Sequence, residues 1–218
     1  MRTGNVGENV VLVYLVVCFF VFLAGFVDSI AGGGGLISLP AYMIAGLPVH
    51  TAIATNKMSS SMGTFVASFH YMKKGFMKWK ICIPAVFGAI AGSWIGSHLA
   101  LLISEKALKI AMLVVLPVIL FYVLRSKALK GKDENATEVI NGMLIFKSIL
   151  IAAVVGIYDG IYGPGTGTFL MLLFTGFCHM TLNDAAGATK AINLTTNITA
   201  LVVFLINGKV LLPLGIAA

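Results

Sequence analysis

Apolar residues fall along this chain in long blocks separated by short polar clusters, with no sustained alternation. The blocks run from Val10 to Phe26, Ile81 to Ile103 and Ala107 to Leu124, then around Ile149 to Ile157, and from Ala185 to Ile206. A helix needs about 20 mostly apolar residues to cross a bilayer, and these blocks reach or approach that length. A membrane barrel would show short alternating segments instead. The pattern therefore predicts an all-α membrane protein, a polytopic bundle of helices. The first block has a long core and more spans follow it, so it reads as a retained helix and not as a secretory leader. The segment Leu36 to Leu47 is different, because Pro40 interrupts it and Gly46 and Pro48 close it. An apolar run of about 10 to 14 residues is too short to span, which predicts a re-entrant segment.

The pattern also repeats. Gly25-Phe-Val-Asp28-Ser-Ile-Ala-Gly32-Gly-Gly34 returns 131 residues later as Gly156-Ile-Tyr-Asp159-Gly-Ile-Tyr-Gly163-Pro-Gly165. Thr55-Asn56-Lys57 returns 133 residues later as Ala188-Thr189-Lys190, after which Ser60 falls on Asn193 and Thr64 on Asn197. Each half reads as a helix, a glycine-rich break, a short apolar segment and a second helix carrying a lysine. Residues 1–130 form the first membrane repeat and 131–218 the second. Counterparts of the spans between Ile81 and Leu124 would fall past Ala218, so the second repeat reads as truncated. With the short segments re-entrant, each half has an even number of spans. The two then run parallel, with a cytoplasmic N-terminus. Duplicated membrane folds place their site between the repeats, near the midplane.

Composition supports the bilayer reading. Hydrophobic residues make up 59% of the chain and charged residues 11%, against about a quarter charged in soluble domains. The net charge of +7 changes the picture only in where it sits. Lys73, Lys74, Lys78 and Lys80 crowd one short loop, and Arg125, Lys127, Lys130 and Lys132 open the one long polar loop. Basic residues in short loops mark the cytoplasmic side, so the charge sets orientation and calls for no nucleic-acid partner. The lipid bilayer is the partner that composition implies, and a homo-oligomer stays open.

Candidate chemistry is confined to the repeat. A charge at the bilayer centre costs about 2.5–3.5 kcal/mol on insertion scales, so Lys57 and Lys190 are functional candidates. Asn56, Ser60 and Thr64 share a helix face, as do Thr189, Asn193 and Asn197. An ammonium beside a ladder of neutral donors suits a desolvated oxyanion. The competing reading has each lysine snorkelling outward or pairing with an aspartate. Asp28 and Asp159 close the first helix of each half, as counter-charges or proton carriers for the lysines, or as caps of the next helix. Gly33 and Gly34, and Gly165 with Thr166, stand where a broken helix would aim free N–H groups and positive dipole at an anion.

Other chemistry finds no support in the sequence. The glycine runs resemble a dinucleotide loop only in fragments, with no preceding strand, so no cofactor is expected. Cys18, Cys82 and Cys178 form no C-x-x-C pair, and the histidines lack ligand spacing, so no metal site is expected. No nucleophile–base set stands out, which argues against an enzyme, and no Walker loop, which argues against ATP as the energy source. Asn135-Ala-Thr137 matches a glycosylation acceptor by chance, since the charge pattern puts that loop in the cytoplasm.

These motifs, Ala24-Gly-Phe-Val-Asp28-Ser-Ile-Ala-Gly-Gly-Gly-Gly35, Ala54-Thr-Asn-Lys57 and Tyr158-Asp-Gly160 with Gly163-Pro-Gly-Thr-Gly167, resemble the sulfite exporter (TauE/SafE) family of membrane permeases. The resemblance implies a duplicated helical transporter of the prokaryotic inner membrane that moves sulfite or related small organosulfur anions, commonly outward. On that reading Lys57→Gln is expected to abolish anion flux and leave folding intact. The alternative is a non-transporting scaffold completed by a partner chain, for which Gly88, Gly92 and Gly96 offer a contact face.

Overall fold

A computed structural model describes residues 4–31, 33–125 and 140–218. The sequon, the basic residues Lys127, Lys130 and Lys132, and the expected repeat boundary lie outside the described residues. Those described form helices α1 (Gly4–Ala31), α2 (Gly35–Ile44), α3 (Val49–Lys73), α4 (Trp79–Leu102), α5 (Glu105–Arg125), α6 (Gly142–Ile161), α7 (Thr166–Gly176), α8 (Leu182–Ile206) and α9 (Leu212–Ala217). No strand occurs among them. Four helices are long and apolar enough to cross a membrane: α4, α6, α8 and the Val11–Asp28 part of α1. At 25 residues α3 is long enough but carries buried Asn56, Lys57, Ser59, Ser61, Thr64 and Ser68, which lower its hydropathy. Its polar side faces inward. The outward faces are apolar, with Phe22, Phe87, Phe121 and Leu102 more than half exposed. That arrangement suits hydrocarbon.

Local chemistry sets several helix ends. The Asn141 side chain accepts from the Leu144 N–H to start α6, and Thr181 accepts from Asp184 N–H to start α8. Such caps satisfy donors that the first turn leaves free. Asp184 also meets Lys78 at 3.6 Å, tying the α3–α4 turn to the start of α8. At the other end of the bundle, His50 Nε2 donates to the Ala100 carbonyl at 3.0 Å and its Nδ1 lies 3.3 Å from Glu105. One imidazole thus joins the start of α3 to the α4–α5 turn.

Helix directions follow from which residues meet. On α4, Gly88, Gly92 and Gly96 lie against Ile149, Ala153 and Ile157 of α6, a constant step, so α4 and α6 run parallel. A Cβ at Gly92 or Gly96 would overlap a backbone carbonyl of α6. The glycine stripe is therefore filled by the chain's own α6, and it offers no face to a second protein. Between α3 and α8, Lys57 meets Asn197 while Ser68 meets Lys190, so those helices run antiparallel. Parallel repeats would have the lysine-bearing helices run the same way, and these contacts reverse that expectation.

The reversal has a local cause. Gly34 packs back on Ala24 and Asp28, so α2 doubles back along α1. Likewise Asp159 meets Thr166 and Lys147 reaches the Phe177 carbonyl, so α7 doubles back along α6. Each first helix is thus followed by a short one that packs back against it. The start of α1 lies on the face opposite the Lys73–Lys80 turn, whereas the charge pattern with an even count of spans places both on one side.

Candidate functional site

The two hairpin turns meet in the middle of the bundle, with Gly35 against Pro164. Gly163 and Gly165 have φ of +94° and +80°, conformations that cost an L-residue about 1–2 kcal/mol. Glycine there lets the chain reverse within four residues and enter α7. Tyr158 locks the turn by donating its hydroxyl to the Pro164 carbonyl at 2.6 Å. The N-terminal ends of α2 and α7, each carrying a helix's positive dipole end, are brought to the same place by these turns.

The charges pair crosswise. Lys57 of α3 donates to Asp159 of α6 at 2.7 Å and to Asn197 of α8 at 3.1 Å. Lys190 of α8 donates to both the carboxylate and the carbonyl of Asp28 of α1, at 3.1 and 3.0 Å. Asp159 also accepts from the Thr166 hydroxyl at 2.6 Å, and Asp28 from the Gly34 N–H at 3.2 Å. Of the two roles weighed for the aspartates, Asp159 serves as counter-charge. Asp28 serves both as counter-charge and as acceptor at the start of α2. Both lysine side chains are nearly inaccessible, at 2% and 6%. A buried ion pair is stabilising only when further hydrogen bonds complete it, and these partners do so.

Around the pairs lies a cavity of about 140 Å³, a space that would hold several waters or one small anion. Lys57, Lys190, Asp28 and Asp159 all line it. So do Asn56, Ser60, Thr64, Asn193 and Asn197, together with Gly34, Gly165 and Thr166. Two expected residues fall outside. Thr189 is buried away from the cavity, and its hydroxyl has no hydrogen-bond partner among the described residues. Asn56, its counterpart one residue before Lys57, does line the cavity, so the two halves differ at this position. Gly33 is buried toward Leu36 and Thr168 of α7.

Ser38, Ser59 and Gly63 also line the cavity, beyond the residues that the repeat pattern singles out, as does Gly163 of the repeated glycine motif. Ser59 and Gly163 stand in or beside the repeated motifs, while Ser38 gives no signal of its own. Asn56 lines the cavity, and its Oδ1 is buried with no hydrogen-bond partner among the described residues. A buried polar atom left unpaired costs about 1–3 kcal/mol. Among the described residues no three His, Cys, Asp or Glu side chains gather as metal ligands.

The Gly163 turn carries a prediction. A Cβ there would lie 2.8 Å from Lys57 Nζ and 3.0 Å from Asp159, on top of the positive φ. Gly163→Ala is expected to lower stability by more than the roughly 1–2 kcal/mol of backbone strain alone. Gly208→Ala, at φ +63° with nothing within 4 Å of the added Cβ, should lose only the strain. Equal losses in denaturant melts of the two variants would show that the ion pair does not feel residue 163.

Comparison with known proteins gives the family. The family profile described as "Sulfite exporter TauE/SafE" matches residues 17–218. The chain is 34% identical over 195 residues to the probable membrane transporter protein ORF9 of Sinorhizobium sp, covering 89% of this chain and 73% of that one. It is 34% identical over 220 residues to the probable membrane transporter protein YfcA of Escherichia coli K12, covering 99% and 79%. A probable membrane transporter protein of Haemophilus influenzae is 31% identical over 198 residues, covering 89% and 74%. No solved structure matches.

Proposed function

This chain belongs to the sulfite exporter TauE/SafE family of membrane transporters, and we propose that it is a secondary transporter exporting sulfite or a related small organosulfur anion across the inner membrane. The observation that carries the reading is the cavity itself. Two buried lysines from different helices face one small space together with the side chains of Asn56, Ser60, Thr64, Asn193 and Asn197. A sulfur oxyanion presents three or more acceptor oxygens, and this lining offers ammonium, amide and hydroxyl donors to match them. The N-terminal ends of α2 and α7 add positive dipole from two sides.

The same geometry supports a duplicated architecture of inverted repeats. The hairpins α1–α2 and α6–α7 act as re-entrant elements from opposite faces, and each lysine crosses to the other half's aspartate. With the Lys73–Lys80 turn in the cytoplasm, α1 starts outside. Irregular backbone at the hairpin tips is tolerated in a bilayer because it lines a cavity and is buried in protein.

A thermal-shift titration of the detergent-purified chain tests the substrate class. A ligand at about 100 times its Kd adds about 2.7 kcal/mol to the folded state, or roughly 5–10 °C for a chain of this size. Sulfite or methanesulfonate is expected to give such a shift where chloride and acetate do not, and Lys190→Gln should lose it. A wild-type response equal for all four anions, or an unchanged response in Lys190→Gln, would remove the lysines from substrate binding.

A further inference from the structure

The two ion pairs are unequal. Asp159 is 4% exposed and held by two short bonds, from Lys57 at 2.7 Å and Thr166 at 2.6 Å. Asp28 is 27% exposed, and its bonds to Lys190 and Gly34 are 3.1 and 3.2 Å. Access is unequal too. A second cavity of about 570 Å³ runs between α3 and α8, with His70, Lys74 and Asn183 on its walls. It ends on Lys190 and shares Gly63 and Ala67 with the first cavity. A solute moving up that basic-lined route meets Lys190, while Lys57 lies deeper, about 10 Å along α8 at the level of Asn197.

Charge balance then limits what can bind. The titratable groups on the inner cavity are Lys57 from α3, Lys190 from α8, Asp28 from α1 and Asp159 from α6. Helices α2, α7 and α9 contribute none, and His70 and Lys74 face only the outer cavity. With all four ionised, the inner cavity is neutral. A monovalent anion entering it would leave one negative charge uncompensated in apolar surroundings, which is strongly unfavourable. Neutrality returns when one carboxylate is protonated. The carboxylate with the longer bonds and the greater exposure, paired to the lysine that lines the second cavity, is Asp28.

Resting on the transporter reading above, we infer that the anion displaces the Asp28 carboxylate from Lys190 and that Asp28 takes up one proton for each monovalent anion bound. An anion oxygen replaces Asp28 Oδ2 at the ammonium, and the freed oxygen receives a proton supplied by the buffer in the surrounding solution. No bond to the anion is made or broken. The Lys57–Asp159 pair stays closed throughout. The two lysines thus divide their work: Lys190 exchanges partners and Lys57 holds the halves together.

The test is calorimetric titration of the 218-residue chain in detergent with methanesulfonate, an anion that carries no titratable proton near neutral pH. Measuring the heat in phosphate and in Tris at one pH gives the protons taken up per ligand. About one is expected. Because binding takes up a proton, raising the pH must weaken it, by about tenfold in Kd per pH unit. Asp28→Asn keeps the acceptor for the Gly34 N–H and should bind with no proton uptake and no pH slope. The double change Lys57→Gln with Asp159→Asn removes the other pair and leaves the inner cavity neutral, so it should keep the uptake. Wild-type binding without proton uptake, uptake persisting in Asp28→Asn, or uptake lost in the double variant would each overturn this assignment and leave the transporter reading standing. Absence of any binding of methanesulfonate and sulfite would overturn the transporter reading and the assignment with it.

Discussion

Lys57→Gln is expected to destabilise the folded chain by about 3–5 kcal/mol, the loss seen when one partner of a buried ion pair is removed. Asp159 would be left at 4% exposure without its cation, with the Thr166 hydroxyl as its remaining side-chain donor. Asn197 would lose its ammonium as well. From the sequence alone this variant loses flux and spares the fold, and the pairing with Asp159 revises that. The double change Lys57→Gln with Asp159→Asn should recover much of the loss, because the orphaned charge leaves with its partner. Lys190→Gln should lose less than Lys57→Gln, since Asp28 is partly exposed and also has the Gly34 N–H. Denaturant melts of the wild type, the two single lysine variants and the double variant decide the matter. If the double variant is no more stable than Lys57→Gln alone, the stranded charge is not the cause.

Gly96→Val should be more damaging still, with little folded protein recovered. A Cβ at Gly96 would overlap the backbone of Ile157, and one at Gly92 the backbone of Ala153. Backbone on both sides cannot step aside as a flexible side chain can. Overpacking in ordinary cores costs about 1–3 kcal/mol, and here the whole α4–α6 contact must open. That contact also carries α6, and with it Asp159, so any folded remainder should bind anion poorly. The control is Gly63→Ala in α3, where an added Cβ meets nothing within 4 Å. It should gain about 0.5–1 kcal/mol of helix propensity. A Gly96→Val chain that melts like the wild type would mean that α4 and α6 do not pack this closely in the folded protein.

Much of this site is legible in the sequence because membranes make polar residues expensive. A lysine in an apolar block stands out, and the recurrence of lysine, aspartate and glycine at a near-constant spacing picks Lys57, Lys190, Asp28 and Asp159 out of the chain by pattern alone. The helix-face argument also places Ser60, Thr64, Asn193 and Asn197. It holds for Asn56 but fails at Thr189, because the two halves pack differently at that position, a tertiary difference that identical spacing does not reveal. Orientation is harder to read. Whether the chain after α1 crosses the bundle or turns back depends on the approach of Gly34 to Ala24 and Asp28, a tertiary contact that leaves no periodic trace. Parity of spans follows from that one turn, so an error there inverts the second half. Which aspartate each lysine meets is illegible for the same reason. Spacing ranks residues within a half and says nothing about partners across halves.

The crossed pairing has a mechanical meaning. Were each lysine bound to the aspartate of its own half, releasing a pair would loosen one half and leave the seam between halves untouched. Here both pairs stitch the seam, at two heights along α3 and α8. Releasing Asp28 from Lys190 therefore leaves the Lys57–Asp159 pair still tying α3 to α6. Releasing both at once would strand four charges in buried surroundings. The state in which the two halves part entirely is the one the chain's own charges oppose most.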